Sequence, residues 1–308
     1  MALDPPASPA PQRLLGPDGR ALPPLAYGCW RFAGATVAEA RARIEAALEA
    51  GLTLIDTADI YGFGGPGVGA AEELLGEVLR ADPGLRDRML LATKGGIRPP
   101  VPYDSSAATL RAAVDASRRR LGVDVIDLWQ VHRPDVLTHP AEVAAALVGM
   151  VESGAVGAVG VSNHTPHQYD TLRRHLADTP VRIVSTQPEL HALHLAAVDD
   201  GTLDLATRDD LVTLAWSPLA GGRLGDGVVA TDAREAAVHA VLDELAARHA
   251  VARSAVALAW VMRHPARPVP IVGSNRPERI RASADALRVD LDRAEWYAVA
   301  RAAGRPQP

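Results

Sequence analysis

Short apolar runs of strand length alternate with longer segments of helical period along almost the whole chain, and this alternation restricts the fold more than any other feature. The runs are LAYGCW, TLIDTA, MLLATK, VIDLWQVH, AVGAVGVS, RIVSTQ, LVTLAW and VPIVGS. Helical patterns follow them over 36–50, 70–80, 106–121, 140–153, 166–176, 203–208, 233–249 with 254–264, and 277–287. Strands that alternate with helices build a parallel sheet, and eight such units predict closure into a (β/α)8 TIM barrel. Ahead of the first strand, RLLGPDGRALPPL places a Pro-Asp-Gly turn between two apolar stretches, which predicts a short N-terminal hairpin. Residues 1–12 read as a disordered Pro/Ala-rich tail and 13–308 as a single catalytic barrel domain, because no Ser/Gly tract divides them.

Composition narrows the class. A hydrophobic fraction of 48% in 308 residues supports a large core, and a net charge of −5 without a basic patch argues against a nucleic-acid partner. No apolar run approaches the ~18 residues of a membrane span, and the N-terminus lacks the basic and apolar regions of a signal peptide. One cysteine, Cys29, forbids an internal disulfide and a thiolate cluster, so a cytoplasmic protein is expected. Oligomeric state leaves no mark.

Active sites of such barrels lie at the C-terminal ends of the strands. Those ends carry Trp30, Asp56 with Tyr61 just beyond, Lys94, His132, Ser162 and Asn163, Gln187, Trp216 and Ser217, and Gly273 and Ser274. Most are polar or ionisable, unlike a core. Lys94 is the only lysine; every other residue among the 32 Lys+Arg is arginine. An ammonium is compact and titratable where a guanidinium is broad and always charged, so the position calls for a point charge or a free amine. A free amine would form a Schiff base with a carbonyl. A protonated one would act electrostatically, and the nearby Asp56 favours that form. Beside such an ammonium the Tyr61 phenol is expected to have a lowered pKa, and His132 to orient a substrate oxygen.

IDTADIYG, LATKGG and VIDLWQVHRPD, which carry Asp56 and Tyr61, Lys94 and His132, resemble the motifs of the aldo-keto reductases, and the resemblance runs over nearly the whole chain after the tail. It implies an oxidoreductase that transfers hydride from NADPH to an aldehyde or ketone, reversibly. Tyr61 would be the general acid–base, tuned by Lys94 and Asp56, with His132 positioning the carbonyl. It also implies NADPH or NADP+ at the barrel mouth, NADH remaining open as an alternative. Ser162, Asn163 and Gln187 would hold the carboxamide and Trp216 would stack on the nicotinamide. Ser217, Leu219, Gly221 and Arg223 would form the pyrophosphate strap, with Gly273, Ser274, Arg279 and Ser283 around the adenosine 2′-phosphate. A basic residue common at the position of Gly273 is absent, and Ala282-Ser283 replaces the Glu-Asn pair of many members. Two rival readings stand beside this one: a Schiff-base lyase using Lys94, and a cofactor-binding regulatory barrel with negligible turnover.

Trp30 and Phe32, just past the first strand, are expected to wall the pocket of a small carbonyl or alcohol substrate, with sealing of the barrel top as the alternative. GFGGPG (62–67) spells G-x-G-x-x-G, but it follows the second strand, contains Pro66 and lacks a downstream acid, so it reads as a loop near the substrate opening. Glu189, His191 and His194 in PELHALH have spacings that could bind a metal, but they do not make three well-placed ligands; Glu189 and His191 read as structural partners, and no metal is expected. Arg118–Arg120 read as a solvated helix end, and Cys29 as packing.

Overall fold

The computed structural model describes residues 13–15 and 19–306. Eight parallel strands pair in chain order: β1 (Ala26–Gly28), β2 (Leu54–Asp56), β3 (Leu90–Gly95), β4 (Ile126–Val131), β5 (Val156–Ser162), β6 (Ile183–Gln187), β7 (Val212–Ala215) and β8 (Val269–Val272). β8 pairs with β1 and closes the barrel. The expected helices surround it, from Val37–Glu49 after β1 to Pro277–Ala282 after β8. Several begin where a side chain satisfies the free N–H groups of the first turn: Thr36 with Glu39 and Thr165 with Gln168 form reciprocal capping boxes. The tail and the Pro17-Asp18 turn lie outside the described residues. The hairpin arms do pair, Leu14 opposite Ala21 in antiparallel register.

Side chains alternate across a strand, so i and i+2 share a face. Ala26, Leu54, Leu90, Ala92, Leu128, Val212, Leu214, Val269 and Ile271 fill the barrel interior, with Leu15 and Leu22 of the hairpin packed into the same cluster. One step further along the same inward rows the residues become Asp56, Lys94 and Gln130, all buried. The interior is therefore apolar at one end and polar at the end where the strands finish. A second, larger core lies between the strands and the helices and contains Tyr27, Ile55, Leu91, Trp129 and Val159.

The helix Arg293–Ala302 lies beyond the eight predicted units. Asp292 and Glu295 form its capping box, a signal readable in the sequence. Trp296 stacks on Trp260 at 5.1 Å, and each indole N–H donates to the other's backbone carbonyl, at 3.0 and 3.1 Å. No helix among the described residues is long and apolar enough to cross a membrane.

Candidate active site

Lys94 Nζ donates to Asp56 Oδ2 at 2.7 Å and to the Thr57 carbonyl at 2.8 Å, and the side chain is 1% exposed. Gln187, at the end of β6 on the opposite wall, donates to Asp56 Oδ1 at 3.0 Å. Burial alone would lower the lysine pKa; the adjacent Asp56 and then Tyr61 outweigh it, and the net direction is upward. Lys94 is thus a buried, paired ammonium, the state that opposes Schiff-base chemistry.

The segment after β2 keeps pairing with β3, Thr57 N–H to Ala92 and Asp59 N–H to Lys94, before turning at Tyr61. Gly62 makes that turn at φ 111°, where a Cβ would lie 2.3 Å from the Gly67 carbonyl oxygen. The turn brings the Tyr61 ring centroid to 5.1 Å from Lys94 Nζ and places it edge-on to the His132 ring at 6.0 Å. Burial, then the charges of Lys94 and Arg133, hold the His132 pKa well below the usual histidine range, so the imidazole is neutral at physiological pH. Tyr61 corrects an expectation. Its pKa is raised, because desolvation exceeds the pull of Lys94 and Asp56 works against that pull. Ammonium and carboxylate act on the phenol as a pair, not as a lone cation.

Ser162, Asn163 and Trp216 form one hydrogen-bonded group beside these residues. Asn163, at φ 58°, donates to the His132 carbonyl at 3.1 Å and to Ser162 Oγ at 2.8 Å, and accepts from the Trp216 indole at 3.0 Å. Ser162 in turn donates to the Gln187 carbonyl at 2.9 Å. The plane of Trp216 is therefore fixed from β5. After β7 the chain passes through Ser217 at φ 55° and Gly221 and Gly222 at φ 70° and 109°; a Cβ on either glycine would meet nothing within 4 Å. Together these supply amide and hydroxyl groups, an oriented aromatic and an open strap, a donor set that fits a nicotinamide dinucleotide.

A family model described as the Aldo/keto reductase family matches residues 24–303 of this chain. The chain belongs to that family. Among curated proteins, this aldo-keto reductase is 51% identical over 290 residues to a 6-dehydroglucose reductase of Novosphingobium aromaticivorans, covering 93% of each chain. It is 39% identical over 298 residues to a 6-dehydroglucose reductase of Agrobacterium fabrum, covering 93% of this chain and 96% of the relative. Among solved structures, a glycerol dehydrogenase of Gluconobacter oxydans superposes with a TM-score of 0.82 at 28% identity, covering 96% of each chain.

Not every expected site residue of the aldo-keto reductase reaches the mouth. Phe32 is fully buried, packed on Tyr27 at 6.1 Å and under the Arg43 guanidinium at 5.9 Å, so it belongs to the core and does not wall a pocket. Trp30 is 62% exposed. Ser283 is also buried, its hydroxyl donating to the Ile280 carbonyl at 2.6 Å, which turns it away from any phosphate. Arg223 is committed to the buried Glu235 at 2.8 Å and anchors the end of the strap. Arg279 is exposed and forms no ion pair among the described residues, and Ser274 and the partly buried Leu219 flank the same end of the barrel. The 62–67 glycines form a hydrogen-bonded turn, with Gly65 and Gly67 N–H both donating to Gly62. Glu189 and His191 bond to each other at 3.1 Å. Arg120 departs from the expected solvated face by reaching the buried Glu72 at 2.6 Å.

Arg31 escaped the sequence reading. It donates to the carbonyls of Gly273 at 2.6 Å and Gly221 at 3.2 Å, tying the strap after β7 to the end of β8. The signal was its position directly after the apolar run LAYGCW.

Proposed function

We propose that this protein is an NADPH-dependent reductase of a polyhydroxylated aldehyde, with 6-dehydroglucose as the first substrate to test. The observation that carries the reading is the buried Asp56–Lys94 pair against the Tyr61 ring, with neutral His132 at its edge. The two 6-dehydroglucose reductases at 51% and 39% identity support the substrate class. Ser162, Asn163, Gln187, Trp216 and the strap from Ser217 to Gly222 would hold the dinucleotide, and Arg279 its 2′-phosphate, since a guanidinium binds two phosphate oxygens at once. When bound, the nicotinamide supplies the hydride. Tyr61 gives its proton to the carbonyl oxygen, while Lys94, kept charged by Asp56, stabilises the phenolate that remains. His132, being neutral, hydrogen-bonds the same oxygen without competing for the proton.

The test is NADPH consumption by purified protein with 6-dehydroglucose, followed by absorbance, together with tryptophan-quenching titrations of NADPH and NADH. Tyr61→Phe is expected to abolish reduction while binding NADPH as wild type does, because the hydroxyl serves the transition state. Reduction that persists in Tyr61→Phe, or binding of neither dinucleotide, would reject the reading.

A further inference from the structure

Behind β3, on the face opposite Lys94, lies a second group of charges that the chemistry above does not use. Thr93 and Gly95 point outward from the strand, two residues apart and so about 7 Å along it. Thr93 donates its hydroxyl to Glu72 Oε1 at 2.5 Å, and Glu72 Oε2 accepts from Arg120 Nε at 2.8 Å and pairs with the same guanidinium at 2.6 Å. Next to them the Asp59 side chain, 8% exposed, enters a slot that exists because residue 95 is glycine: a Cβ there would lie 3.0 Å from Asp59 Oδ2 and 2.8 Å from Trp129 Cζ2. On the same two side chains, Asp59 Oδ1 and the Trp129 indole N–H are buried without a hydrogen-bond partner among the described residues. Asp59 stands two residues before Tyr61, and its backbone N–H is fixed to the carbonyl of Lys94 at 2.9 Å.

Charge counting decides the protonation state. Asp56 and Lys94 neutralise each other inside the barrel, and Glu72 and Arg120 neutralise each other outside it, so an ionised Asp59 would be one buried negative charge too many. Burial chiefly, and then Glu72, push the Asp59 carboxyl up to about 7, against weaker opposition from Arg120, the Ile60 N–H and Lys94.

We propose that Asp59 is a positioning residue for Tyr61: its carboxyl, wedged in the Gly95 slot, sets the loop over Lys94, and a negative charge gained there slows reduction. The inference rests on the reductase reading. An added charge across β3 from Lys94 would raise the phenol pKa further and make Tyr61 a poorer acid.

The experiment compares the pH profiles of kcat and KM for wild type, Asp59→Asn and Asp59→Ala, with NADPH affinity measured separately by fluorescence. Wild type is expected to lose activity, about threefold or more, as pH rises through neutrality. Asp59→Ala should lose about tenfold in kcat at about pH 6 with NADPH affinity kept, and Asp59→Asn should recover most of that loss without the decline above neutrality. Coincident profiles of wild type and Asp59→Asn would overturn the proposal, as would a wild-type kcat in Asp59→Ala or a folded, NADPH-binding Asp59→Asn that is dead at every pH. If Asp59→Asn does not fold, isotope-edited infrared titration of wild type decides: a protonated aspartic acid band that vanishes near neutrality supports the proposal, and its absence at about pH 6 rejects it. Wild type that reduces no aldehyde would instead refute the reductase reading itself.

Discussion

Replacing Lys94 by arginine would ask a planar fork to occupy a space 1% exposed, where Nζ now meets Asp56 and the Thr57 carbonyl at 2.7 and 2.8 Å. The charge survives such a change but its location does not. Lys94→Arg is expected to lower kcat about 100-fold or more, and wild-type turnover would refute this account of the lysine. Cys29 shows the opposite case, a reactive group kept silent. Burial first, and the charge of Asp56 next, push its thiol well above the usual range. A thiol reagent should find no reactive cysteine in the native protein and the single one after unfolding; labelling of the native state would contradict its burial. At this scale the sequence located most of the residues that the fold brings together at the strand ends. The identity and strand-end position of Asp56, Lys94 and His132 were legible, whereas the direction of the Tyr61 shift was not, because it depends on how much water the fold removes. Phe32 and Ser283 misled for a related reason: a residue's place in a motif does not say which way its side chain turns.

The alternation of strand and helix was legible because apolar periodicity is dictated locally. Helices such as Pro166–Leu176 and Ala233–His249 fall where the period and the capping residues place them. What escaped were the pieces too short to display a period, Gly84–Asp87 and Ala196–Asp199, and the terminal helix whose partner, Trp260, is distant in sequence. That helix depends on its first turn. Asp292→Ala should cost about 1 kcal/mol, read as a lowered Tm, and no change in Tm would mean the cap is dispensable. The strap after β7 depends on Arg31 in a similar way. Arg31→Ala removes both of its ties, to Gly273 and Gly221, and limited proteolysis within 217–228 is expected to accelerate; unchanged cutting would mean the strap holds itself.

For the whole molecule, the Asp59 proton links stability to pH. An aspartate in the unfolded chain ionises near 3.8, while the folded protein retains this proton to about 7. Between those values the folded state binds more protons than the unfolded one, so stability falls as pH rises and stays lower above neutrality. Asp59→Asn should therefore raise Tm relative to wild type at about pH 8 and change it little at about pH 4. Equal Tm values at both would mean that Asp59 ionises normally.

The bond from Gln187 to Asp56 has a consequence of another kind. β2 and β6 are diametrically opposed in an eight-stranded ring, so this contact is a diameter of the barrel drawn as a single hydrogen bond. The spacing of the two walls and the position of the carboxylate that holds Lys94 are linked through that bond. A substitution on the outer helices that flattens the ring would shift the carboxylate that holds Lys94 without touching it.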